Sequence, residues 1–97
     1  MTGPERAIET HLRRQVEKRG GWALKFYPLR AGNPDRIVIL PGHPIYLVET
    51  KAPGGRIRPI QRVWHDRARA RGHEVYVLWD RESIDRWLSW VDEGGPS

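Results

Sequence analysis

Apolar residues recur along the chain in two rhythms, one of three to four residues and one of two. Ala7, Ile8, Leu12 and Val16 follow the first, and with Pro4 suited to a first turn and Gly20-Gly21 to a stop they predict an amphipathic helix over 4–19. "WALKFYPL", Trp22 to Leu29, predicts a strand ended by Pro28 and a polar stretch. "DRIVIL" predicts the next strand, and the breakers from Pro41 to Pro44 predict that it forms a hairpin with "IYLVETK". Beyond "APGGR", Ile60, Val63, Trp64 and Ala68 form a stripe that should be the buried face of a helix closed by Gly72. His73 to Trp79 reads as a short apolar strand. Ile84, Trp87, Leu88 and Val91 then mark a last helix capped by Asp80.

The order is α-β-β-β-α-β-α. A strand, helix and strand in succession form a right-handed crossover that sets the two strands parallel. The fold expected is therefore α/β, a mixed sheet flanked by helices. Residues 1–97 are read as one domain with no internal repeat, and 92–97 as a frayed tail.

Charge adds a partner to this picture. Seventeen Lys and Arg against twelve Asp and Glu leave +5 and an isoelectric point near 10.2, which favours a polyanion such as nucleic acid. The chain has no cysteine, which excludes disulfides, thiolate metal sites and thiol catalysis. It also has neither an apolar run of membrane-spanning length nor an apolar signal core. A soluble, cytoplasmic protein with no membrane partner is expected.

The strand "IYLVETK" carries the chemistry. Alternation sets Ile45, Leu47, Glu49 and Lys51 on one face, and Tyr46, Val48 and Thr50 on the other. One face thus turns from apolar to ionic, and a carboxylate beside an ammonium is costly to bury unless paired or bound to metal. If the hairpin forms, Asp35 comes opposite Glu49, so two carboxylates and a lysine meet at one end of the sheet. Carboxylate oxygens suit Mg²⁺, which lowers the pKa of bound water and offsets charge on phosphorus oxygens, while a lysine assists the water or phosphate. Separately, Gly32 to Asp35 is ordinary turn chemistry and Glu49 with Lys51 an ordinary surface pair. Their joint occurrence points to phosphodiester hydrolysis.

"GNPDRIVIL…VETKAPGG…Q" resembles the VRR-NUC family of the PD-(D/E)XK nuclease superfamily, with Pro34-Asp35 as its PD element, Glu49-Thr50-Lys51 as its E-X-K element and Gln61 as its trailing glutamine. The resemblance runs from the first helix to about Leu78. It implies a restriction-endonuclease-like core and a role for each residue. Asp35, Glu49 and the Thr50 backbone carbonyl would hold Mg²⁺, with Mn²⁺ as substitute. Lys51 would position or activate water, and Gln61 would hold the site by hydrogen bonds. A carboxylate of the first helix, Glu9 in preference to Glu5, would reach the metal through water. The resemblance further implies a structure-selective endonuclease for branched DNA, such as four-way (Holliday) junctions or flaps, working as a homodimer. The alternative is an inactive basic DNA-binding module of the same fold.

Around this site Lys25, Arg30, Arg36, Arg56 and Arg58 are the expected phosphate contacts. The four histidines, His11, His43, His65 and His73, lack zinc-ligand spacing and are read as surface or core residues, with a place in the same cleft as the alternative for His65, one turn past Gln61. Trp90 lies off the last helix's apolar stripe and is a candidate subunit contact.

Overall fold

The computed structural model describes residues 3–25, 32 and 34–95. Its elements follow the expected order: α1 (Pro4–Lys18), β1 (Trp22–Lys25), β2 (Arg36–Ile39), β3 (Tyr46–Thr50), α2 (Pro59–Ala70), β4 (Val75–Leu78) and α3 (Arg81–Asp92). The sheet order is β1-β2-β3-β4. β1 with β2 and β2 with β3 are antiparallel, whereas the α2 crossover sets β4 parallel to β3. The strand expected over 22–29 is described as far as Lys25, and its remainder lies outside the described residues.

One face of the sheet carries the core. Val38, Tyr46, Val48 and Leu78 pack with Ile8, Leu12 and Val16 of α1 and with Ile84, Trp87, Leu88 and Val91 of α3. Each large apolar side chain so buried stabilises the fold by about 1.5–3 kcal/mol. Tyr46 meets Trp87 edge-on at 5.3 Å and Tyr76 edge-on at 5.8 Å, an arrangement that suits the ring quadrupoles. The corner from α1 into β1 depends on Gly21, where a Cβ would collide with the Ile39 carbonyl oxygen.

α3 starts as expected, with Asp80 Oδ1 accepting the Ser83 N–H at 2.7 Å. After Asp92 the N–H groups of Glu93, Gly94 and Gly95 still donate to the carbonyls of Ser89, Val91 and Trp90. Trp90 is partly exposed and its ring lies 5.6 Å from Tyr76. Among the described residues no helix is long and apolar enough to cross a membrane.

α2 departs from the expected stripe. Its buried residues are Gln61, His65 and Ala68, while Ile60 and Val63 are 46% and 50% exposed. The helix is thus rotated by about one residue, roughly 100°. Gln61 holds this rotation by turning inward to accept the N–H of Arg58, the N-cap residue, at 2.8 Å. Ile60, Val63 and the half-buried Trp64 are left lining an open groove of about 620 Å³ with Leu47.

Candidate active site

The site forms where β3 outruns β2. The antiparallel ladder ends at Arg36 opposite Val48, but β3 continues through Glu49 and Thr50, held on its other side by Val77 and Leu78 of β4. The Thr50 N–H therefore has no strand carbonyl to meet. Asp35, just before β2, fills that place: its Oδ1 accepts the Thr50 N–H at 3.1 Å and its Oδ2 the Thr50 hydroxyl at 2.8 Å. The turn leading into Asp35 rests on α2. Pro34 is fully buried, and Gly32, at φ 90°, lies so close to the Ile60 carbonyl that a Cβ would be 2.5 Å from its oxygen.

Glu49 is 4% exposed. Its Oε1 has no hydrogen-bond partner, and its Oε2 lies 4.0 Å from Lys51 Nζ. Burial first, and then the charge of Asp35, push its pKa from 4.5 to about 7 against the opposing Lys51 and Arg58. Burial also raises Asp35, although the Thr50 hydrogen bonds oppose the rise. Two carboxylates and a lysine thus gather at one end of the sheet, where both acids resist ionisation, a pattern common at functional sites.

No family model matches the chain. Over 75 residues, 76% of this chain and 81% of its relative, it is 51% identical to "Putative nuclease p44" of Acyrthosiphon pisum secondary endosymbiont phage 1. A solved structure described as a VRR_NUC domain matches it with a TM-score of 0.82 and 31% identity, covering 91% of this chain and 97% of the other. The chain belongs to the VRR-NUC family.

In this VRR-NUC chain two of the three acidic residues of α1, Glu5 and Glu9, are felt at the site. Glu9 is buried and its charge raises Asp35, while Glu5 acts in the same sense on Glu49. Glu9 Oε1 lies 3.2 Å from Arg36 Nη2, with side chains only 11% and 14% exposed. Arg36, expected at phosphate, is thus turned inward to a carboxylate. The reason is register: Arg36 lies opposite Val48, on the face that α1 covers.

Gln61 is buried, but its amide oxygen serves the N-terminus of α2 and so fixes Arg58, whose charge is felt at Glu49. Arg56 and Arg58 are exposed, as is Lys25 on β1, while Arg30 lies outside the described residues. His65 is buried with Nε2 unpartnered. Burial first, and then the charge of Arg69, lower its pKa against the opposing Asp66 and Glu74. Sequence reasoning missed the Thr50 hydroxyl and the Glu9–Arg36 pair. The hairpin register was the signal for both, since it sets Asp35 beside the unpaired end of β3 and Arg36 on the α1 face.

The donor set suits a hard divalent cation. Among the described residues no three His, Cys, Asp or Glu side chains gather into a cage, but Mg²⁺ commonly binds through one or two carboxylates with water and substrate phosphate completing its shell. The unpartnered Glu49 oxygen is the observation that fits it.

Proposed function

We propose that this protein is a Mg²⁺- or Mn²⁺-dependent endonuclease that hydrolyses DNA phosphodiesters at the Asp35, Glu49 and Lys51 cluster. The buried, unpartnered oxygen of Glu49 beside a second carboxylate carries the reading, because a fold alone gains nothing from such a charge. Asp35, Glu49 and the Thr50 carbonyl would hold the ion, with Glu9 reaching it through water. When bound, the ion lowers the pKa of water and offsets charge on the phosphate.

The chain's own residues do the rest. Lys51, 4.0 Å from Glu49, orients the attacking water against the phosphate. Arg56 and Arg58, at the glycine turn and the N-cap of α2, draw the DNA backbone to the cleft, and Gln61 fixes the Arg58 main chain. Lys25 extends the basic surface along β1.

Selectivity for branched DNA by a two-fold homodimer belongs to the same proposal. Trp22, Leu24, Ile45 and Leu47 share the sheet face opposite the α1 and α3 core, and Trp22 and Ile45 are 63% and 61% exposed. This face continues onto Ile60 and Val63 of α2, and burial against a second copy would cover it.

The test is cleavage of labelled four-way junction, flap and linear duplex DNA with Mg²⁺, Mn²⁺ or chelator, beside Asp35→Ala and Lys51→Ala. Metal-dependent cutting of branched DNA is expected, with the Lys51 variant slower by about 10²–10⁴-fold. Binding without cutting on every substrate and ion would leave a basic DNA-binding module instead. Sedimentation of the native protein and of Ile45→Glu reads the dimer: loss of a dimer in the variant supports the shared face, and a native monomer refutes it.

A further inference from the structure

Thr50 lies between Glu49 and Lys51, and the reading above uses only its carbonyl. Its side chain is fully buried, on the face opposite Glu49. A buried hydroxyl needs a partner, and here the partner is Asp35. Thr50 Oγ1 donates to Asp35 Oδ2 at 2.8 Å, while the Thr50 N–H donates to Oδ1 at 3.1 Å and approaches Oδ2 at 3.4 Å.

One residue therefore engages both oxygens of one carboxylate. Asp35 stands outside the β ladder, at the end of a turn, and its side chain could otherwise rotate about two bonds. Thr50 is rigid by contrast, since it lies within β3, is paired to β4 at Leu78 and has a β-branched side chain with restricted rotation. Each carboxylate oxygen keeps acceptor capacity after one such bond. The clamp therefore sets the plane of Asp35 without using up its lone pairs.

We infer that Thr50 is a positioning residue whose hydroxyl, together with its amide, fixes Asp35 for cation binding. Any residue here would supply a carbonyl and, proline excepted, an N–H, but only a hydroxyl side chain of this size supplies the second donor. The inference rests on the metal-dependent nuclease reading and adds a side-chain requirement to it.

Thr50→Val removes the hydroxyl at constant shape, and Thr50→Ser restores it without the methyl. Mn²⁺ binding to the DNA-free protein, followed by electron paramagnetic resonance, is measured beside Mg²⁺-dependent cleavage and thermal unfolding. The valine variant is expected to lose about 10- to 100-fold in Mn²⁺ affinity and in cleavage rate, a typical effect of removing a group that orients a metal ligand. The serine variant is expected to return both close to native. If the valine protein does not fold, Thr50→Ala replaces it as the hydroxyl-free arm. A hydroxyl-free variant that binds Mn²⁺ and cuts like the native protein overturns the inference alone. So does a serine variant as impaired as valine, which would assign the effect to the methyl group. A native protein that neither binds Mn²⁺ nor cuts overturns the nuclease reading and this inference together.

Discussion

Glu49→Gln separates what the fold needs from what the site needs. In the metal-free protein the Glu49 carboxyl is buried with one oxygen unpartnered, and its pKa is pushed from 4.5 to about 7. The folded state thus holds this proton more tightly than the unfolded chain does. Stability from this group is fully present below pH 4.5 and falls as pH rises through about 7. At about 1.4 kcal/mol per pH unit the gap corresponds to roughly 3 kcal/mol above pH 7, and water reaching the cleft beside Lys51 reduces it to on the order of 2 kcal/mol. Glutamine keeps the shape and removes the charge. The variant should therefore be more stable than the native protein by about 2 kcal/mol at pH 8, and no more stable at pH 4.5. At about 4–8 °C per kcal/mol for a domain of this size, its melting midpoint should rise by about 10 °C at pH 8. The assay is thermal unfolding by circular dichroism in chelator at both pH values, then with Mg²⁺ or Mn²⁺. The ion should stabilise the native protein and not the variant, while the variant loses cleavage. A variant no more stable than native at pH 8, or equally stabilised at both pH values, would refute the argument that burial of this charge strains the fold.

Two further outcomes follow from the geometry around the cluster. Gly32→Ala forces a side chain into a φ of 90° and against the Ile60 carbonyl; it should cost about 1–3 kcal/mol and slow cleavage by displacing Asp35, and full cleavage in a destabilised variant would show that the turn does not place the carboxylate. Arg58→Ala should lower the slope of log DNA affinity against log salt by about 1, whereas Arg36→Ala, whose guanidinium is paired with Glu9, should leave that slope unchanged while slowing cleavage; equal slopes for the two variants would return Arg36 to the phosphate contacts.

Much of this molecule is legible in its sequence because its signals are local. Periods of three to four and of two residues repeat within contiguous segments, so α1, α3, the hairpin and the parallel crossover follow from the order of side chains. The ionic end of β3 is legible for the same reason, since alternation alone puts Glu49 and Lys51 on one face of that strand and the hairpin brings Asp35 to it. What the tertiary structure decided lies in contacts between distant segments. The rotation of α2 is one case: its apolar residues predict burial of Ile60 and Val63, but Gln61, reaching the Arg58 N–H, turns the polar row inward. Arg36 is another, because a charge next to the site in sequence becomes the partner of Glu9 only once α1 packs on the sheet. The third is Asp35, whose orientation depends on an N–H and a hydroxyl left unpaired where β3 outruns β2. Periodicity specifies which residues can share a face. Which face turns inward, and which partner each buried polar atom then finds, is settled only when the segments pack and every donor must be satisfied.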